Sequence, residues 1–115
     1  MRVRNTSKNT VLAEQTVMAN TSERRRTGLL KHESLPRGEG LWIAPCEAVH
    51  SFWMKFSIDV LYLNKKKQVV KIRSNMVPWR LSACFRAHSV LELPAGMAAE
   101  THTAPGDQLK FEPLS

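Results

Sequence analysis

The chain has 115 residues, 43% hydrophobic and 23% charged, which fits one globular domain spanning 1–115 and excludes disordered, collagen-like and disulfide-dense classes. Its 17 Lys and Arg outnumber 10 Asp and Glu, for a net charge of +7, so acidic partners come into question. No apolar run approaches the ~20 residues of a membrane helix, and Met1-Arg2-Val3-Arg4-Asn5-Thr6 lacks a signal-peptide core, so a cytoplasmic location is expected.

The first predicted element is a strand over 10–19, where Val11, Leu12, Val17 and Met18 alternate with polar residues. Thr21-Ser22-Glu23 offers a helix start. A short basic helix over 22–32 is expected to follow, ending before Pro36 and Gly38. Gly40-Leu41-Trp42-Ile43 reads as a strand stopped by Pro45, and 51–54 as another. The strongest strand signal is Ile58-Asp59-Val60-Leu61-Tyr62-Leu63. Ile58, Val60 and Tyr62 share one face, Asp59, Leu61 and Leu63 the other, so this strand is expected to be covered on both sides.

Residues 64–67 read as a polar hairpin turn, followed by a strand over 68–73. Pro78 makes 76–86 irregular. Strands over 89–93 and 108–112, a helical turn over 97–101 and a turn at Pro105-Gly106-Asp107 complete the chain. Many short strands and one short helix predict a mostly β fold, a jelly-roll-like barrel or a sandwich.

Gly28-Leu29-Leu30, Gly40-Leu41-Trp42, His50-Ser51-Phe52-Trp53-Met54-Lys55, Ile58-Asp59-Val60, Val90-Leu91-Glu92-Leu93-Pro94-Ala95-Gly96 and Gly106-Asp107 occur in this order and spacing. Together they resemble the DUF192 family, also called UPF0127, over roughly residues 11–112. The resemblance implies a compact, mostly β domain of jelly-roll or barrel type with a short helix. It implies no activity, cofactor or catalytic residue. Two departures stand out: Gly28-Leu29-Leu30 replaces a usual Gly-Leu-Met, and Phe56-Ser57 stands where Asn-Thr often follows Trp-Met-Lys. Many relatives also carry a leader peptide, so their location does not transfer.

The segment 50–59 concentrates an imidazole (His50), an indole (Trp53), an ammonium (Lys55) and a carboxylate (Asp59). On an extended strand Trp53 and Lys55 would share a face suited to a planar or sugar ligand. The same apolar residues would serve equally as core. Asp59, inside an apolar strand, must be hydrogen-bonded, paired or neutral. It either holds a crossing loop through backbone N–H groups or lines a pocket. Glu92 sits similarly between Leu91 and Leu93, and Asp107 follows a turn glycine. The three carboxylates are therefore candidate neighbours.

Cys46 and His50, and Cys84 and His88, form two Cys-x3-His pairs. Four such ligands suit zinc, but the spacing is weak and buried thiols are the plainer account, so no metal or cofactor is assigned. The two cysteines are not expected to form a bridge.

Residues 65–86 carry seven cations (Lys65, Lys66, Lys67, Lys71, Arg73, Arg80, Arg86) and no acid. With Trp79 beside Arg80 as a stacking group, nucleic acid is an alternative partner. Lys65-Lys66-Lys67 is also what a solvated hairpin tip looks like. No Gly-x-Ser-x-Gly, phosphate-binding glycine loop or His-Glu-x-x-His occurs, so an enzyme is less favoured than a binding or accessory module. A hydrolase with an unrecognised constellation around His50 and Asp59 is the further alternative. The expected binding surface comprises His50, Trp53, Lys55 and Asp59, with Glu92 and Asp107 as neighbours.

Overall fold

Strand β6 (Ile58–Leu63) is buried at all six positions, as expected for a strand apolar on both faces. In a computed structural model that describes residues 1–21, 29 and 32–113, it lies inside a five-stranded sheet. The other members are β3 (Gln15–Ala19), β4 (Glu39–Ile43), β9 (Ser89–Pro94) and β7 (Val69–Met76). The order is β3-β4-β9-β6-β7, with only the β3–β4 pair parallel.

Leu61, Leu63, Leu91 and Leu93 project from one face of this sheet onto Val3, Leu12, Ala13 and Leu109. Those residues belong to a second sheet of β1 (Arg2–Asn5), β2 (Thr10–Ala13) and β10 (Leu109–Glu112), in the order β10-β1-β2. Helix α1 (Met97–Glu100) closes the same core through Met97 and Ala98. Ile58, Val60, Tyr62 and Val90 project from the opposite face. They are covered by the two-stranded antiparallel sheet of β5 (Ala48–His50) and β8 (Leu81–Ala83), together with Met54, Met76 and Leu29. The sheets stack without closing into a barrel, so the fold is mostly β and sandwich-like. Burial of apolar faces on both sides of β6 and β9 supplies its main driving force.

The expected strand over 10–19 is two strands, because a bend at Glu14 sends β2 and β3 into different sheets. Strand β1 was not foreseen. Its Arg-Val-Arg-Asn pattern carries one apolar residue, and its partner β10 comes from the far end of the chain. The expected strand at 51–54 is a turn, preceded by β5. Strand β8 interrupts the region 76–86 read as irregular, since pairing with β5 supplies the order that local sequence lacks. The expected helix over 22–32 lies largely outside the described residues. No helix among the described residues is long and apolar enough to cross a membrane.

The hairpin turn at 64–67 is held by Asn64, whose side-chain oxygen accepts the N–H groups of Lys66 and Gln68 at 2.9 and 3.0 Å. Lys67 adopts φ 63, a conformation that costs an L-residue roughly 1–2 kcal/mol and glycine almost nothing. Its ammonium lies 5.3 Å from the Trp42 ring centroid, a contact that contributes about 0.5–1 kcal/mol. Lys67→Gly is therefore expected to be neutral or to raise stability by up to about 1 kcal/mol in urea unfolding. A loss above about 1 kcal/mol would show that the Trp42 contact holds the hairpin.

Candidate binding site

Ser51 is fully buried and ties two loops together. Its hydroxyl donates to the Val77 carbonyl at 2.7 Å and accepts the Arg80 N–H at 2.9 Å. Its backbone N–H donates to the Arg80 carbonyl, and its carbonyl accepts the N–H groups of Trp79 and Met54. The Met54 bond closes a turn over 51–54, which is why this apolar stretch does not extend as a strand. Met54 fills the core below while Trp53 is thrown outward.

Each loop carries a tryptophan at positive φ, 70° for Trp53 and 67° for Trp79. Bulky residues rarely occupy that region, and holding one there costs on the order of 1–3 kcal/mol. Their rings meet edge to face, with centroids 4.5 Å apart at 65°. Trp79 continues a column of nearly parallel rings: Phe52 at 5.9 Å and 26°, then His50 on Phe52 at 5.0 Å and 28°. Trp53 and Trp79 are nevertheless 70% and 52% exposed, and Leu81, paired with His50 across the β5–β8 sheet, is 70% exposed. Water-facing aromatic area of this size, rigidly presented, is characteristic of an interaction site.

The sequence-derived candidates fall into four places. His50 and Trp53 belong to the aromatic platform. Lys55 follows it in the chain and pairs with Glu33, both exposed; because 51–54 is a turn, Trp53 and Lys55 are not strand neighbours.

Asp59 is 1% exposed and lies on the Leu61 and Leu93 face of the central sheet, opposite Ile58, Val60 and Tyr62. Its Oδ1 accepts the N–H of Asn75 at 2.8 Å, and its Oδ2 accepts those of Gly96 and Ala98 at 3.1 and 2.8 Å. One carboxylate thus fixes the end of β7 and the entry to α1, the loop-holding arrangement expected for a buried strand aspartate.

Asp107 is buried near the other end of that face. It accepts hydrogen bonds from Lys8, Asn5 and the Ala104 N–H at 2.8–3.0 Å. Desolvation by itself raises its pKa, but those donors and the Lys8 charge outweigh it and hold the carboxyl below its usual range.

Glu92 pairs in register with Val60 and Leu41 and shares the face of Val90 and Val60. It points away from Asp59. Its Oε1 is buried with no hydrogen-bond partner among the described residues, and desolvation pushes its pKa up to about 7. The three carboxylates therefore do not converge.

Among the described residues no three His, Cys, Asp or Glu side chains are grouped to hold a metal ion. Cys84 is buried, and the Cys46 thiol donates to the Ala48 carbonyl at 3.2 Å. Phe52, Leu81 and the Ser51 clamp were not legible as site residues. Ser51 acts through partners 26 and 29 residues away, which leave no local pattern.

Among proteins of known sequence, a UPF0127 protein of Pyrococcus horikoshii is 30% identical over 113 residues, 93% of this chain and 96% of its own. Another from Pyrococcus furiosus is 32% identical over 82 residues, covering 66% of this chain and 70% of that one. Among solved structures, a protein of unknown function from Novosphingobium aromaticivorans superposes with a TM-score of 0.80 at 24% identity. That alignment covers 96% of this chain and 82% of the other, and shows a shared fold. The DUF192 profile, described as an uncharacterized ACR, matches residues 3–111, and the chain belongs to the DUF192 family.

Proposed function

We propose that this chain is a small binding module whose contact surface is the aromatic platform of His50, Phe52, Trp53 and Trp79, with Lys55 at its border. The observation that carries this reading is the pair of exposed tryptophans, both at positive φ and both clamped by one buried serine. Side chains that protect little of their own surface yet sit in a costly backbone conformation contribute little to the fold itself. Asp59, Glu92 and Asp107 support the scaffold rather than the surface in this reading. Two cysteines in 115 residues suit a reducing compartment, and the proposal places the module in the cytoplasm.

Replacing either tryptophan by glycine separates the two roles. Trp53→Gly and Trp79→Gly are each expected to leave the unfolding free energy unchanged or raise it by up to about 1 kcal/mol, because glycine occupies positive φ without strain. Urea unfolding of each variant measures this directly. If either loses more than about 1 kcal/mol, the rings hold the fold together and the platform is not a binding surface.

A further inference from the structure

The chain between Asp59 and Glu92, which contributes Trp79 to the platform, carries charge of one sign. No Asp or Glu occurs between Asp59 and Glu92, and those two are 1% and 4% exposed. Seven cations lie between them. Strand β7, the outer strand of the central sheet, links the cations to the rings.

At the β7 start, a shallow groove of about 470 Å³ is lined by Lys65, Lys66, Gln68, Arg86 and His88, among others. Arg86 reaches the Val70 carbonyl at 3.5 Å. Lys71 donates to the Ala83 carbonyl at 2.8 Å, which sets its ammonium against the β5–β8 sheet. Arg73, two residues further and exposed, pairs in register with Val60 on the same face. The strand ends at Met76, and Val77, Trp79 and Arg80 are then locked to Ser51. Eight residues of strand span about 25 Å.

We infer that this track binds a single-stranded nucleic acid, with its phosphates along Arg86, Lys71, Arg73 and Arg80 and its unpaired bases stacked on Trp79 and Trp53. The inference rests on the platform reading above and names its ligand class. A cationic track that ends in accessible π-faces is the pairing that single strands require, since phosphates supply affinity and bases supply stacking. A base would extend the ring column that already runs from His50 through Phe52 to Trp79. Cations on an outer strand also discourage edge-to-edge pairing of sheets, but that role gives the tryptophans nothing to do.

The test uses the full chain and a labelled oligothymidylate of about 15 nucleotides, read by fluorescence anisotropy beside the corresponding duplex. At about 50 mM salt the single strand is expected to bind at least about tenfold tighter than the duplex. Trp53→Ala and Trp79→Ala are each expected to weaken it about tenfold or more. Arg73→Ala and Arg80→Ala should each flatten the slope of log affinity against log salt by about 0.7. Absence of binding at low salt overturns the inference, as does a tryptophan variant that binds like the wild type.

The indole N–H signals of Trp53 and Trp79 in nitrogen-edited NMR spectra, with Trp42 as internal reference, separate this failure from that of the platform. If cellohexaose moves those signals and the oligonucleotide does not, the platform stands and the nucleic acid is removed. If neither probe moves them, both readings fall.

Discussion

Asp59→Asn is expected to destabilise the protein by about 2–3 kcal/mol. The carboxylate accepts three backbone N–H groups, from Asn75, Gly96 and Ala98, and is 1% exposed. An asparagine side chain keeps one oxygen and places an NH2 where the other stood. Whichever way it turns, at least one of these N–H groups then faces a donor, and a buried group left unsatisfied costs roughly 1–3 kcal/mol. The Oδ2 side is the costlier one to lose, since it holds both Gly96 and Ala98. Gly96 has φ 95 and precedes α1, so the loss should also loosen the helix that covers Leu91 and Leu93. Urea unfolding at constant slope checks the magnitude. A variant as stable as the wild type would show that these donors are satisfied by water, and would return Asp59 to the list of accessible site residues.

The second large effect is a pH dependence set by Glu92. Burial without a partner raises its pKa from 4.5 to about 7. Between those values the unfolded chain has released the proton while the folded chain still holds it, so the unfolded state binds fewer protons. Stability contributed by this group is therefore complete below about pH 4.5, falls by up to about 1.4 kcal/mol per pH unit, and is lost above about pH 7. The whole difference amounts to about 3 kcal/mol. Asp107 acts in the opposite sense and outside this window. Its lowered pKa gives stability present above its unfolded value of 3.8 and lost as pH falls further. Glu92→Gln cannot titrate, so its unfolding free energy should lack the decline between pH 4.5 and 7 that the wild type shows. Parallel pH profiles for the two proteins would mean that Glu92 is ionised in the fold and has a counter-charge.

Both predictions concern acids that look alike in sequence, each flanked by apolar residues in a strand. Their difference arises from register alone. Val60 and Glu92 are partners across β6 and β9, so Glu92 leaves the sheet on the Val60 face and Asp59 on the other. One meets backbone N–H groups from the end of β7 and the entry to α1; the other meets apolar side chains. A one-residue slip would exchange their environments.

Local pattern determined a good deal by itself. The burial of β6 on both faces, the hairpin turn at Asn64, and the short strands with a single helical turn after Gly96 all follow from residue type and spacing. Those features depend on contacts between near neighbours or on the alternation of one strand. Tertiary structure alone decided the rest. Val3 is apolar between two arginines and becomes fully buried only because β1 finds β10, about a hundred residues on. The stretch Phe52-Trp53-Met54 has the composition of a strand, yet Ser51 bonds to Val77 and Arg80 and turns it into a platform with Trp53 facing water. Strand propensity is worth a few tenths of a kcal/mol per residue, less than the cost of leaving the buried Ser51 hydroxyl and its neighbouring N–H groups unpaired. Where nonlocal hydrogen bonds outweigh local preference, composition names the residues of the site but not their arrangement.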